Sequence, residues 1–291
     1  MLFKVAILAA LISSVAGHMA MSEPCPRFSP NCANKPPLPA GVSDYDYSIK
    51  SPVPYDGPLM KSDIPWPESA TTWTAGQPAT VKFQPGGAAH GGGHCQFSIS
   101  YDNGKTAAVV HEVLQHCFFS GASGGNGADI FEYTFPLPAT MPSSDNALLI
   151  WTWVNAVGNR EFYANSATLK IVGGTGNSYT GKQMTIANHA GYETIPEFSG
   201  NYATGLQLYT NAPNITITAS GSSGSGYTGE QVASASTNNA QPSSPAAPTS
   251  SAPAYDSATM AAPTASATLA AAVPAYHARI APIPAPPTKC A

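Results

Sequence analysis

The chain has 291 residues, of which 10% are charged, and its formal net charge is −4. A typical globular protein carries about 25% charged residues, and nucleic-acid binding requires a concentrated basic surface, so this composition argues against a nucleic-acid partner. The 26 glycines and 28 prolines, with no long stretch of helical period between caps, predict an all-β extracellular domain.

The first 17 residues have the layout of a secretory signal peptide. Lys4 precedes an apolar run over residues 5–12, and small residues follow up to Gly17. The segment is too short to cross a membrane, and no later stretch reaches about 18 uninterrupted apolar residues. We therefore expect a secreted, extracellular protein without a membrane span.

Short strands separated by turn residues follow one another between about residues 79 and 219. In "CQFSISYD" the residues Phe97, Ile99 and Tyr101 alternate onto one face; "DNGK" then predicts a hairpin turn, and "AAVVHEV" the return strand. Further predicted strands are "IFEYTF", "ALLIWTWV", "SATLKIV", "QMTIAN", "LQLYT" and "ITIT". This spacing predicts a two-sheet β-sandwich of the immunoglobulin or fibronectin kind, with long loops, over residues 18–219.

The chain contains five cysteines. In an oxidising compartment we expect the first four to pair, and sequence neighbourhood favours Cys25 with Cys32 and Cys95 with Cys117. Cys290 is left over as a free or intermolecular thiol.

Residues 220–291 are rich in serine, alanine, threonine and proline and carry few charges. Such a segment cannot bury enough apolar surface to offset its ordering entropy, so we expect a disordered, O-glycosylated stalk. "ATLAAAV" near the end is a weak lipid-anchor signal, because the prolines and basic residues that follow interrupt the apolar tail. Asn214 in "NIT" is an N-glycosylation sequon.

His18 stands directly after the predicted signal peptide. Cleavage after Gly17 would give it both an α-amine and an imidazole, and one further histidine would complete a T-shaped, three-nitrogen site of the kind that Cu(II) prefers. The alternative is cleavage one residue earlier, which would leave His18 as a polar residue in a mobile terminus.

The stretch "GGAAHGGGHCQ" carries His90 and His94. Its glycines allow the backbone to approach a metal or another loop closely. Taken alone, the stretch is more typical of a flexible, solvated loop that happens to contain two histidines.

The stretch "WTWVNAVGNREFYANSA" joins two strands through the turn "NAVGN". Glu161 and Tyr163 are two residues apart, so they project from the same face of an extended strand. They form either a surface pair or a proton-handling group and an axial ligand beside a metal.

Four stretches, "HMAM", "YSIKSP", "AAHGGGHCQFSISYDNGKT" and "WTWVNAVGNREFYANSA", stand in an order that resembles the fungal lytic polysaccharide monooxygenases of auxiliary activity family eleven. The resemblance covers roughly residues 18–219. It implies a sandwich fold in which His18 and His90 form a copper histidine brace. It also places Tyr163 on the family's axial tyrosine and Glu161 on its outer-sphere glutamate.

The same resemblance implies oxidative cleavage of crystalline polysaccharide, with chitin as the typical substrate. The enzyme would hold one copper ion per domain and use an external reductant, as electron donor, with O2 or H2O2 as co-substrate. We expect a monomer. Two alternatives stay open: a non-catalytic copper-binding protein of the same fold, and a metal-free cell-wall glycan-binding module.

Three positions depart from the family's pattern. His94 stands where the family usually has serine, and Trp66 and Ser166 stand where it tends to have cysteines. If those cysteines normally pair, this chain lacks a bridge close to Tyr163, and Cys25–Cys32 is a local addition.

Overall fold

The computed structural model describes residues 18–35, 37–59 and 71–219. The predicted signal peptide, the predicted stalk, Trp66 and Cys290 lie outside the described residues. The described strands are β1 (Met21–Glu23), β2 (Thr71–Thr74), β3 (Pro78–Phe83), β4 (Gly93–Ser100), β5 (Ala108–Val113), β6 (Glu132–Pro136), β7 (Ser144–Asn155), β8 (Phe162–Val172), β9 (Ser178–Lys182) and β10 (Asn214–Thr218), and a short helix, α1 (Leu206–Thr210), precedes β10.

The strands form a sandwich, as the sequence predicts. One sheet has the order β2-β8-β7-β4-β5, with β2 parallel to β8 and the other neighbours antiparallel. The second sheet has the order β1-β3-β6, and β9 pairs with β10. Aromatic side chains fill the space between the two larger sheets: the Phe83 ring meets the rings of Phe118 and Trp151 edge-on, each at 4.9 Å between centroids. Such contacts combine large apolar burial with favourable ring geometry.

Strand β4 has the alternation that the sequence predicts, but both of its faces are buried. Phe97 and Ile99 point into the core between the sheets. On the opposite face the Gln96 side chain donates to Glu112 (2.8 Å) and accepts from the backbone N–H of Thr185 (2.8 Å). These hydrogen bonds compensate the desolvation of the buried amide.

Two predicted strands are wrong. "LQLYT" forms the helix α1, in which Tyr209 packs against the ring of His94 at 4.7 Å. A five-residue apolar alternation does not distinguish a strand from a helical turn, and here a tertiary contact decides. "QMTIAN" runs as an extended loop because its backbone N–H groups bond to loop carbonyls and a side chain: Gln183 to Pro213 (2.7 Å), Met184 to Ala107 (3.0 Å) and Thr185 to Gln96.

Disulfide bonds join Cys25 to Cys32 and Cys95 to Cys117, which are the pairs that sequence neighbourhood favours. The second bond ties β4 to the segment after β5 and is fully buried. Asn214 is exposed at the start of β10. In the described part of the chain, no helix has the length and apolar character needed to span a membrane.

Candidate metal centre

His18 and His90 lie side by side at one end of the sandwich. Their rings stack with centroids 4.8 Å apart and planes at 30°. Nitrogen atoms of both imidazoles and a carboxylate oxygen of Glu161 all lie within 4.8 Å of one another. The fold thus brings together three groups from distant parts of the sequence that can each donate an electron pair to a metal.

The glycine-rich loop before β4 fits closely against the N-terminal segment. His18 forms a parallel bridge with Ala88, and a Cβ atom on Gly87 would lie 2.7 Å from the His18 carbonyl oxygen. Gly93 has φ of 114°, and a Cβ atom there would overlap the Val154 carbonyl oxygen. Glycine is required at both positions because the backbones approach each other too closely for any side chain.

The turn "NAVGN" supports His90 from the other side. The Val157 N–H donates to the His90 carbonyl at 2.9 Å. The Asn155 side chain donates to the carbonyls of Val157 (2.9 Å) and Asn159 (2.8 Å) and accepts from the Glu161 N–H at 3.3 Å. His90 has φ of 44°, a conformation that costs free energy and persists because these neighbouring bonds hold it.

Tyr163 and Glu161 project from the same face, as their spacing predicts. The phenol of Tyr163 donates to a Glu161 carboxylate oxygen at 2.6 Å. The Tyr163 ring is 1% exposed, stacks on Trp153 with centroids 4.5 Å apart and lies 5.2 Å from the His18 ring. Burial, the hydrogen bond to Glu161 and its negative charge raise the pKa of Tyr163, so the phenol stays neutral at physiological pH.

The donor set fits a copper ion. Nε2 of His90 is buried and has no hydrogen-bond partner among the described residues, which is costly unless a ligand satisfies it. Burial, followed by the neighbouring His18, lowers the pKa of His90, so its imidazole is neutral and offers a lone pair. Nitrogen-rich sites of this kind suit Cu(II).

His94 lies apart from this cluster. It is fully buried; its Nδ1 accepts from the Gln115 N–H at 3.0 Å, which leaves Nε2 to donate to the Thr204 carbonyl at 2.9 Å. Burial is the main cause that lowers the pKa of His94. Both ring nitrogens are therefore occupied, and the residue connects β4 to the segment before α1.

Ser166, where the family pattern has a cysteine, lies on β8. Its carbonyl accepts from the Arg27 N–H at 2.7 Å. The Arg27 side chain is buried and donates to Thr168 (2.9 Å) and Asn103 (2.6 Å). Polar contacts from the segment after β1 therefore reach this part of β8.

Sequence reasoning missed two residues that organise the centre. Asn155 and Arg160 both make hydrogen bonds that close the turn before Glu161. The stretch "NAVGNRE" could have identified them, because a polar side chain stands at each end of this tight turn.

The fold and the cluster define a class: a β-sandwich protein with a candidate metal centre of two histidines, a glutamate and a buried tyrosine. No protein-family model matches the chain. The chain is 38% identical over 184 residues to "AA11 family lytic polysaccharide monooxygenase A" of Aspergillus fumigatus. This match covers 60% of this chain and 74% of that protein. It is 32% identical over 185 residues to "AA11 family lytic polysaccharide monooxygenase" of Aspergillus oryzae, and here the match covers 60% of this chain and 40% of the relative.

The chain belongs to the AA11 family of lytic polysaccharide monooxygenases, which are copper-dependent oxidative enzymes. This confirms the family that the motifs indicate and the enzyme class that follows from it. A third relative is "AA11 family lytic polysaccharide monooxygenase B" of Aspergillus fumigatus. The chain spans 40% of the length of this relative and 40% of the length of the Aspergillus oryzae protein.

Proposed function

We propose that this protein is a secreted chitin-oxidising enzyme that holds one copper ion through His18 and His90. The observation that carries the proposal is the convergence of the His18 and His90 nitrogens with a Glu161 oxygen within 4.8 Å, in a chain of this family. The α-amine of His18, free after cleavage behind Gly17, would be the third nitrogen ligand. Bound copper would supply one-electron redox chemistry, with an external reductant and O2 or H2O2 as co-substrate.

Each residue has a distinct part in this proposal. The bridge to Ala88 holds the backbone of His18. It thereby fixes where the α-amine and the imidazole of His18 lie relative to each other. The bond from Val157 fixes His90, whose Nε2 needs a partner. The nearly fully buried Tyr163 ring lies 5.2 Å from the His18 ring, and its part is to limit access to the metal from that side.

Glu161 is the proton-handling group. Its carboxylate accepts the Tyr163 hydrogen bond and lies beside both imidazoles, where it can hold or release a proton during oxidation of the sugar. A carboxylate in this position serves as a general acid or base without being a required metal ligand.

The surface beside the histidines suits a flat polymer. A shallow depression of about 520 Å³ adjoins His18 and His90 and is lined mainly by glycine and alanine: Gly86, Gly87, Ala88, Asn126, Gly127, Ala128 and Phe131. Small side chains leave the centre accessible to an extended crystalline face. The choice of chitin rests on the family resemblance of the motifs.

The extracellular location rests on the signal-peptide layout of residues 1–17 and on the two disulfide bonds, which persist in oxidising compartments. We propose N-glycosylation at the exposed Asn214. We also propose that residues 220–291 serve as an O-glycosylated stalk, consistent with association with the cell wall.

The second candidate function is a non-catalytic copper-binding protein of the same fold. The observation that favours it is that Trp66 and Ser166 stand where the family tends to have cysteines. If those cysteines normally pair, this chain lacks a bridge near Tyr163, which is compatible with relaxed demands on catalysis. The intact pair of Glu161 and Tyr163 favours the enzyme.

The experiment begins with intact mass and N-terminal sequencing of the exported protein, which should start at His18. Copper titration should then give one ion per chain, and a matched form with one alanine ahead of His18 should lose most of its copper affinity because its α-amine is blocked. Affinity should fall on acidification, because imidazole and amine nitrogens must be deprotonated to bind the metal and protons compete for them. Equal affinity of the two forms would refute the site.

Activity is then measured on the copper-loaded protein with ascorbate. Mass spectrometry of the soluble fraction from β-chitin should show oxidised oligosaccharides. Stoichiometric copper with no oxidised product from chitin or cellulose, under either O2 or H2O2, would support the copper-binding alternative instead.

A further inference from the structure

We propose that Arg160 is a positioning residue: its guanidinium holds the segment from Asn155 to Glu161, here called the clamp loop, so that His90 and Glu161 keep a fixed relative placement. This inference rests on the proposed copper site and names a residue that acts on that site through others.

The Arg160 guanidinium makes contacts on both sides. Within the clamp loop it donates to the carbonyls of Asn155 (3.2 Å) and Gly158. Outside the loop it donates to the Pro196 carbonyl (3.4 Å) and pairs with the Glu197 carboxylate at 2.7 Å. The Arg160 side chain is 19% exposed. One planar group therefore ties the two ends of the loop to the segment that precedes α1.

The clamp loop contacts or contains two of the three members of the candidate metal centre, His90 and Glu161. The N–H groups of Ala156 and Val157 donate to the carbonyls of Gly92 (3.0 Å) and His90 (2.9 Å). At its other end the Glu161 N–H donates to the Asn155 side chain at 3.3 Å. A shift of the loop would therefore displace His90 and Glu161 by different amounts.

The charge of Arg160 also acts on the centre. Burial lowers the pKa of Arg160, while the carboxylates of Glu197 and Glu161 oppose that change; a guanidinium stays cationic under these conditions. Loss of the cation would leave Glu161 with less positive charge nearby.

The contacts explain why arginine, rather than lysine, suits this position. Three backbone carbonyls and one carboxylate surround the group, and a planar fork with five N–H donors can serve them together, whereas an ammonium has a single centre. The ion pair itself contributes little because Glu197 is 46% exposed. The carbonyl contacts carry most of the positioning.

The experiment compares copper-loaded wild type with Arg160→Met, Arg160→Lys and Glu197→Gln. Lys170→Met is the matched control. Lys170 lies on β8, whereas Arg160 lies just before it; Lys170 likewise pairs with a carboxylate, that of Asp145 at 2.7 Å, and is 47% exposed. The measurements are copper stoichiometry, the electron paramagnetic resonance spectrum of Cu(II), the Cu(II)/Cu(I) midpoint potential, the melting temperature and the initial rate of chitin oxidation.

We expect Arg160→Met to retain one copper ion, to shift the Cu(II) spectrum and the potential, and to oxidise chitin about 10- to 100-fold more slowly, since small misplacements of catalytic groups have effects of that size. Arg160→Lys should lie between Arg160→Met and wild type, Glu197→Gln should be close to wild type, and Lys170→Met should match it.

An unchanged spectrum, potential and rate in Arg160→Met would overturn the inference, and so would a lower melting temperature with an unchanged spectrum and potential, because that result indicates a structural role alone. If Arg160→Met does not fold, Arg160→Lys decides: a shifted spectrum supports the inference, and wild-type behaviour overturns it. Failure of the wild type to bind copper would instead refute the proposed function, so the two failures are distinguishable.

Discussion

The phenol of Tyr163 donates a 2.6 Å hydrogen bond to the Glu161 carboxylate, so the buried tyrosine is directly coupled to the carboxylate that we propose as the proton-handling group. Their ring and carboxylate sit beside His18 and His90. Because Tyr163 is held neutral, the negative charge of the pair resides on Glu161. This division of roles leads to the first prediction.

Glu161→Gln should separate binding from catalysis. The amide retains the shape of the carboxylate but cannot take up or release a proton, so oxidised product from β-chitin should fall by about 10²-fold or more while copper stoichiometry stays at one. Tyr163→Phe should change the Cu(II) spectrum more than the copper occupancy. Product analysis and copper titration of both variants test this pair, and a Glu161→Gln enzyme with wild-type rates would remove Glu161 from the mechanism.

His90→Ala and His94→Ala should fail in different ways. His90→Ala removes the imidazole whose buried Nε2 has no hydrogen-bond partner among the described residues, so copper binding should be abolished with a small effect on folding. His94→Ala removes two hydrogen bonds and two ring contacts, so it should lower the free energy of unfolding by about 2–4 kcal/mol and leave copper stoichiometry near one. Titration calorimetry measures the effect on copper binding, and urea unfolding measures the effect on stability. The reverse result would mean that His94, rather than His90, binds copper.

The metal-free protein should lose stability in mild acid through His94. Burial is the largest cause that lowers the pKa of His94; the hydrogen bond to the Thr204 carbonyl opposes this in part, and the neighbouring His116 adds to the lowering. The unfolded chain, with a histidine pKa of about 6.5, therefore binds the proton more readily than the folded protein, and the free energy of unfolding falls as the pH drops below about 6.5.

His94→Gln serves as the comparison for this pH dependence, because glutamine does not titrate. Its melting temperature should be lower than that of the wild type near pH 7.5 but should decline less between about pH 7.5 and pH 5.5. Parallel declines in the two proteins would assign the acid sensitivity to other groups.

Gly93→Ala should be far more damaging than Gly86→Ala. Both glycines have positive φ, 114° and 80°, but a Cβ atom on Gly93 would overlap the Val154 carbonyl, whereas one on Gly86 has no neighbour within 4 Å. We expect a loss on the order of 3 kcal/mol or more for Gly93→Ala and about 1 kcal/mol for Gly86→Ala. Urea unfolding of the metal-free variants gives both values, and equal losses would mean that backbone strain, rather than overlap, dominates.

The sequence by itself determined the class of fold and the local features. Period-two alternation in "CQFSISYD" and the long apolar run in "ALLIWTWV" specify strands because side-chain direction in a strand depends only on neighbouring residues. The same short-range logic favoured the two disulfide pairs and placed Glu161 and Tyr163 on one face. The order of four motifs was enough to indicate the family by resemblance.

Only the tertiary structure decided which groups meet. His90 and His94 are four residues apart in one glycine-rich stretch; the fold places the first beside His18 and buries the second against Tyr209 and Phe198. "LQLYT" became a helical turn for the same reason, because packing against His94 outweighs a weak local preference. The contacts of Arg160 with Pro196 and Glu197 span 36 and 37 positions in sequence. No local sequence pattern predicts such contacts, because the packing of the whole domain decides which distant residues meet.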